Sequence, residues 1–146
     1  MSRIKIEVPE QLPFRTKISI RISDINYGGH VGNDSILSIL HEARLQWLKE
    51  KGMTELNFFG AGLIMRDAAI LFRSEMFHGE EVEVALGPED VKPTGFELYY
   101  RITRLASGTV AVLAKTGMVH YDYAKKKIAV LSEEDLLHLS GKDHLK

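Results

Sequence analysis

The sequence contains no cysteine, which excludes a disulfide framework, a thiolate nucleophile and a cysteine-ligated zinc site. No stretch approaches the ~20 apolar residues of a membrane-spanning helix. Residues 1–7 have no long apolar core of the kind found in signal peptides. The formal net charge of -1 gives no case for nucleic acid or an anionic membrane as a partner. These absences together predict a cytoplasmic protein.

The length and composition are ordinary for one soluble domain. A chain of 146 residues, 45% of them hydrophobic, can bury about 68–70% of the surface that it exposes when unfolded. We find no internal repeat, low-complexity segment or interdomain linker in it. Residues 1–146 are therefore expected to form a single domain.

One long amphipathic helix is predicted over residues 34–51, after a strand over residues 14–22 in which apolar and polar residues alternate. The helix has an apolar arc flanked by Leu37 and Leu48, and Gly52 follows its basic end as expected at C′. Arg44 falls inside this arc, so it must either extend to solvent or meet a carboxylate. The residues of the arc are Ile36, Ile39, Leu40, Ala43 and Trp47.

The second half of the chain has the pattern of an antiparallel sheet. Strands are predicted over residues 63–73, 80–87 and 96–102. A fourth, over residues 109–121, is apolar on both faces and therefore expected inside the sheet. Residues 92–95 and 106–108 have the composition of hairpin turns, and residues 132–135 resemble a capping box that opens a short terminal helix. One long helix against an antiparallel sheet is an α+β fold.

A glycine-rich turn joins the first strand to the long helix. Three glycines within five positions allow the backbone to turn sharply and to approach a ligand closely. The first turn of the helix directs its N–H groups back toward this segment, where they favour a negatively charged oxygen. Asn33 or Asp34 is expected to cap or charge the helix start. Four polar side chains lie on the turn: Asp24, Asn26, His30 and Asn33.

Residues 24–33, Asp-Ile-Asn-Tyr-Gly-Gly-His-Val-Gly-Asn, resemble the D-x-D-x-x-G-H-V-N-N signature of hotdog-fold acyl-CoA thioesterases of the hydroxybenzoyl-CoA thioesterase type. Residues 41–44, His-Glu-Ala-Arg, are similar to the E-E-A-R motif on the central helix of that family. The resemblance implies a hotdog fold and hydrolysis of an acyl thioester, with coenzyme A as part of the substrate. It also implies a homodimer or a dimer of dimers with active sites made by both chains. Two positions depart from the signature: Asn26 replaces its second Asp, and Gly32 replaces the first Asn.

The departure at Asn26 moves the search for a catalytic carboxylate to Glu42, two helical turns beyond Asp34. Some hotdog thioesterases resemble this arrangement, with Asn in the loop and a catalytic Glu on the helix. Glu42 would act as general base or nucleophile, while Asn26 and His30 would position the water or the thioester carbonyl. Asp24 is more typical of a structural cap than of a catalyst. Substrate contacts are expected from five further residues of the turn: Tyr27, Gly28, Gly29, Val31 and Asn33.

Asp67 is the rival carboxylate, because it shares an otherwise apolar strand face. It is either paired with Arg44 or Arg66, or functional with a raised pKa, and we favour the ion pair. The histidines have no metal-binding spacing, so no metal or redox cofactor is expected. Cationic side chains that can meet the phosphates of coenzyme A include Arg66, Arg73 and Lys115.

Two other functions remain open. A hotdog protein that binds an acyl thioester or an aromatic ligand without turnover is favoured by the missing second Asp at position 26. A hydratase or dehydratase on the same fold is third, because its expected His and Asp motifs are not evident.

Overall fold

The computed structural model describes residues 4–141, which form six strands and two helices. A 3₁₀ turn over Ile22–Asp24 follows the first strand. The long helix α1 spans Asn33–Glu50, and the short helix α2 spans Glu133–Ser140. The strands are β1 (Phe14–Ser19), β2 (Gly62–Phe72), β3 (Glu81–Lys92), β4 (Gly95–Arg104), β5 (Val110–Asp122) and β6 (Lys127–Ile128).

All strands belong to one antiparallel sheet in the order β1-β3-β4-β5-β2, with β6 beside β5. The sheet packs against α1, which confirms the α+β class and the hotdog arrangement. β5 pairs with both β4 and β2, as expected for a strand that is apolar on both faces. No helix among residues 4–141 is long and apolar enough to cross a membrane.

The apolar arc of α1 forms the centre of the core. Its predicted members are at most 3% exposed, and Leu48 is fully buried with them. Trp47 packs edge-on to Phe96 of β4, with ring centroids 6.2 Å apart. Leu37, predicted on the flank of the arc, is 40% exposed. Gly52 follows the helix with φ +74°, as expected of a residue at C′.

Two expectations near the turn are corrected. The first strand ends at Ser19 rather than at residue 22, because the 3₁₀ turn begins there and leaves Ile22 69% exposed. Neither Asn33 nor Asp34 caps α1: the N-cap position is Gly32, which has no side chain to accept a hydrogen bond. Asp34 instead contributes a negative charge to the first turn.

The other boundaries differ by small amounts. β3 continues to Lys92, five residues beyond the predicted end, because its pairing with β4 extends down to the hairpin turn. Residues 92–95 and 105–109 connect the strands as predicted. The lysine segment 125–127 ends in β6. The predicted capping box at α2 is present, since Ser132 accepts a hydrogen bond from the N–H of Asp135.

Part of the inner face of β2 is uncovered. Met65 pairs with Met118 and Phe72 pairs with Val112, so both share the face that packs on α1. Met65 is nevertheless 44% exposed and Phe72 50% exposed. Among the described residues β5 is the only strand that pairs with β2. The other edge of β2 is contacted near Gly62, where the N–H of Leu63 donates to the carbonyl of Glu55 at 2.7 Å, and is open beyond that point. An open cleft therefore lies between α1 and the edge of the sheet.

Candidate active site

The glycine-rich turn is held by its own backbone hydrogen bonds. The N–H of Asn26 donates to the carbonyl of His30 at 2.9 Å, and Gly29 has φ +85°, a conformation that favours glycine. The N–H of Val31 donates to the carbonyl of Met76 at 2.9 Å, which fastens the turn to the segment before β3. The turn is thus fixed in front of the start of α1.

The N-terminus of α1 opens beside a cavity of about 270 Å³. The first N–H groups of a helix have no partner within the helix, so this end attracts a negatively charged oxygen. A Cβ on Gly32 would lie 2.7 Å from Oδ1 of Asp34, so a larger residue at this position would displace the exposed Asp34 carboxylate. The cavity is lined by His30, Val31, Asn33, Ile36, Phe72, Arg73, Ser74, Glu75, Met76 and Val112.

The polar residues of the turn have different surroundings. Asn26 Oδ1 accepts a hydrogen bond from the N–H of Gly28 at 2.9 Å, so its carbonyl already serves the turn. His30 Nε2 lies 3.8 Å from a carboxylate oxygen of Glu75. Tyr27 is completely exposed at the tip. His30 therefore lines the cavity, whereas Asn26 and Tyr27 lie outside it.

Asp24 is buried and structural in its contacts. It is 4% exposed, and its carboxylate accepts a hydrogen bond from the N–H of Arg21 at 2.9 Å. Its backbone carbonyl accepts from the N–H of Gly32 at 3.1 Å. These bonds cap the 3₁₀ turn, as expected from the sequence.

Glu42 lies on the side of α1 that faces β1, which we call the β1 flank. Its carboxylate is exposed and accepts a hydrogen bond from Gln46 Nε2 at 2.7 Å, and Gln46 in turn bonds Thr16 of β1. Glu42 is eight residues beyond Asp34, about 12 Å along the helix axis. A cavity of about 320 Å³ on this flank is lined by Lys17, Ile18, Ser19, Arg21, Asp24, Ser38, Ile39, Glu42 and Gln46.

Asp67 has the ion pair that the sequence favoured. Its carboxylate lies 3.1 Å from Nε of Arg66 and accepts a hydrogen bond from the N–H of Gly117 at 3.1 Å. A β-bulge between Met65 and Asp67 turns this pair away from α1. Arg66 also contacts Glu97, so it is less available to a phosphate than Arg73 beside the cavity.

A second cluster of charged side chains lies on the opposite side of α1, which we call the β2 flank. Buried Arg44 donates from Nε to Glu55 at 3.1 Å and from Nη1 to the hydroxyl of Tyr100 at 3.0 Å. The other oxygen of Glu55 lies 2.7 Å from Nε2 of His41. Tyr100 shares a hydrogen bond of 2.8 Å with Thr116, which pairs with Ala68 of β2. This cluster therefore faces the open cleft.

Glu55 was missed by the sequence analysis, although the predicted carboxylate partner of Arg44 is confirmed. Burial on its own would raise the pKa of Glu55, but the hydrogen bonds from His41 and Arg44 and the charge of Arg44 lower it below its usual value. Burial raises the pKa of Tyr100 against the effect of Arg44. Glu55 is thus an anion that fixes the His41 imidazole through Nε2.

The structure divides the predicted site residues into groups. His30, Val31 and Asn33 share the cavity at the helix start, while Asp24 and Glu42 share the cavity on the β1 flank. Asp67 lies apart with Arg66. Within residues 4–141 no group of three His, Asp or Glu side chains is placed to hold a metal ion.

Comparisons with known proteins agree with this architecture. A family model described as the thioesterase-like superfamily matches residues 20–138. A curated relative, the 1,4-dihydroxy-2-naphthoyl-CoA hydrolase of Rippkaea orientalis, is 29% identical over 119 residues, covering 79% of this chain and 86% of that protein.

Solved structures show the same fold at low sequence identity. A 1,4-dihydroxy-2-naphthoyl-CoA thioesterase from Synechocystis superposes with a TM-score of 0.76 at 22% identity, covering 86% of this chain and 96% of that one. A thioesterase from Thermus thermophilus, solved with coenzyme A and zinc, gives a TM-score of 0.72 at 20% identity, covering 91% of this chain and 98% of that one.

Proposed function

We propose a mechanism by which this chain, which belongs to the thioesterase-like superfamily, hydrolyses an acyl-CoA thioester to the free acid and coenzyme A. The observation that carries the proposal is the rigid glycine-rich turn in front of an 18-residue helix, beside a cavity of about 270 Å³. The thioester carbonyl lies at the start of α1, and the acyl group enters the apolar cleft beside the helix.

The start of α1 supplies the oxyanion site. When water attacks the carbonyl carbon, negative charge develops on the carbonyl oxygen, and the first N–H groups of the helix stabilise it. A donor of this kind contributes about 10²–10³-fold to kcat. Arg73, which lines the same cavity, is positioned to meet a phosphate of coenzyme A.

Glu42 is the general base in this proposal. Its carboxylate is exposed and lines a cavity together with Asp24, whose backbone carbonyl bonds Gly32 at the start of α1. The attacking water lies between this carboxylate and the substrate. His30, which lines the cavity at the helix start, positions the water or the carbonyl. Asn26 lies outside that cavity and offers its side-chain NH₂ group, since its Oδ1 is bonded to the N–H of Gly28.

The active form is a homodimer, alone or as a dimer of dimers. The open edge of β2 and the exposed side chains of Met65 and Phe72 need a cover, which a second copy supplies by pairing its own β2. Light scattering should then give at least twice the chain mass of 16.5 kDa at micromolar concentration. A mass of one chain would contradict the dimer.

The mechanism uses only side chains, backbone N–H groups and water, so we propose that it needs no cofactor beyond the coenzyme A of the substrate. The net charge and the absence of cysteine fit a cytoplasmic location.

Thiol release tests the function directly. The purified protein is incubated with short, medium and long aliphatic acyl-CoAs and with benzoyl- and naphthoyl-CoA, and free coenzyme A is measured with a thiol reagent. The naphthoyl substrate is included because of the named activity of the Rippkaea relative. We expect turnover of at least one of them, and no thiol release from any member of the panel would contradict the proposal.

A binding protein without turnover is the second candidate, because Asn26 stands where the family signature has a carboxylate. Binding of acyl-CoA by calorimetry with no thiol release would support this alternative.

A further inference from the structure

The pair formed by His41 and Glu55 has the arrangement of a catalytic imidazole and the carboxylate that orients it. Glu55 binds Nε2 of His41 at 2.7 Å, and buried Arg44 fixes the other oxygen of Glu55. His41 is 47% exposed on its side chain, so its Nδ1 is the nitrogen available to a substrate. A carboxylate partner of this kind fixes the orientation of the ring.

Within one chain this pair is far from the start of α1. Glu55 lies at the Gly62 end of β2, because its backbone carbonyl accepts a hydrogen bond from the N–H of Leu63 at 2.7 Å. The cavity at the helix start lies at the other end of β2, beside Phe72. The two sites therefore occupy opposite ends of the same edge strand.

Symmetric pairing of β2 reverses this separation. Two copies that pair this strand antiparallel are related by a two-fold axis perpendicular to the sheet, so both helices lie on the same face with their β2 flanks toward each other. The Gly62 end of one β2 then lies beside the Phe72 end of the other. His41 and Glu55 of each copy are thereby brought toward the helix start of its neighbour.

We propose that His41 is a further catalytic residue, contributed by one copy to the thioester site at the start of α1 in the other; this inference rests on the proposed function. As the C–S bond breaks, its electron pair goes to sulfur, and the imidazolium Nδ1–H gives its proton to that sulfur. The water that attacks the carbonyl gives its proton to Glu42, and solvent restores both groups. Glu55 and Arg44 are positioning residues that act through His41.

His41→Gln tests the chemical role. We expect kcat on acyl-CoA to fall by about 10²-fold, the usual share of a general acid. In an aryl thioester of the same acyl group the leaving thiol has a lower pKa, so it leaves faster without protonation. The fall in kcat caused by His41→Gln should therefore be at least tenfold smaller on this aryl thioester than on acyl-CoA. An equal loss on both thioesters would overturn the assignment. His78→Gln is the matched control, because His78 is exposed and lines neither of the two cavities beside α1.

A mixed dimer tests the contribution between copies. His41→Gln and Asn26→Ala chains with different tags are expressed together, and the dimer that carries both tags is purified. One of its two sites then has an intact turn and an intact His41, so we expect about half of the wild-type kcat per dimer. If both residues act within one chain, each site carries one substitution, and the mixed dimer is no faster than the mean of its two parental homodimers.

The outcomes separate the two proposals. A wild-type protein without thiol release contradicts the proposed function itself. A wild-type protein that is active, together with a mixed dimer no faster than the mean of its two parental homodimers, overturns the contribution of His41 from the second copy and leaves the proposed function intact.

Discussion

Each flank of α1 carries an acid–base group, Glu42 on the β1 flank and His41 on the β2 flank. These two residues are neighbours in sequence, but their surroundings in the fold are different. Glu42 on the β1 flank is exposed and bonded to Gln46 alone among side chains of the described residues. His41 on the β2 flank belongs to a network that runs through Glu55 and buried Arg44 into the sheet. Glu42 therefore has surface contacts through Gln46 to β1, whereas His41 is held by a partly buried network of charged groups.

The largest expected effect tests the β1 flank. Glu42→Gln should lower kcat by about 10²–10⁴-fold, because it removes the proposed general base. Folding should be unchanged, since the carboxylate is exposed. Glu50→Gln, two turns further along the same helix, is the matched control. If Glu42→Gln retains full activity while Asp67→Asn or Glu55→Gln loses it, the base does not lie on the β1 flank.

The next effect tests how strongly the β2 flank is organised. Arg44→Met removes the cation from a buried network and leaves Glu55 and Tyr100 without their donor. We expect the free energy of unfolding to fall by about 3 kcal/mol, the scale for breaking a buried pair. Urea denaturation of the variant and the wild type measures this difference. A loss below about 0.5 kcal/mol, as for an exposed pair, would show that the network does not fix the flank.

The turn in front of the helix belongs to neither flank, and its substitution gives a smaller effect. Asn26→Asp should lower kcat at pH 7 about tenfold, or 1.4 kcal/mol in barrier, because a negative charge near the carbonyl repels the oxyanion. Asn26→Ala should also be slower, since it loses the hydrogen bond to Gly28. A tenfold gain for Asn26→Asp would instead indicate that Asn26 is a lost catalytic carboxylate.

The smallest expected effect is a difference between the flanks in how the free energy of unfolding depends on pH. The pKa of Glu55 is lowered in the folded state from an ordinary value of 4.5. Its contribution to stability is therefore complete above pH 4.5 and is lost as the pH falls through the folded pKa. The difference in unfolding free energy between wild type and Glu55→Gln should shrink over that window, while the difference for Glu50→Gln serves as the control. A difference that is constant with pH would contradict the lowered pKa.

The fold was accessible from the sequence because its periodicities are strong. The apolar arc of α1 and the alternation in β1 each follow one structural period, and glycine at position 52 marks the helix end. The errors lie at boundaries, such as Ile22, where a 3₁₀ turn replaces the last residues of the strand pattern. Local hydrogen bonds to the Asp24 carboxylate decide that boundary, and hydrophobic alternation does not encode them.

The site was accessible only in part. The turn and the helix start are contiguous in sequence, so residues such as His30 and Asn33 were found together. A helical wheel gives the angle between Glu42 and His41 but not which strand lies beside each. Glu55 comes from an irregular segment after the helix and reaches Arg44 only in the folded chain. No local pattern marks such a residue, so a structure was needed to find it.

The most direct test is a crystal structure with a non-hydrolysable acyl-CoA analogue bound. The account predicts a dimer paired through β2, with the analogue's carbonyl oxygen within hydrogen-bond distance of the first N–H groups of α1 in one copy. It also predicts that His41 of the other copy approaches the position of the sulfur. An analogue whose carbonyl lies away from the start of α1, with His41 of both copies distant from its sulfur, would contradict the account.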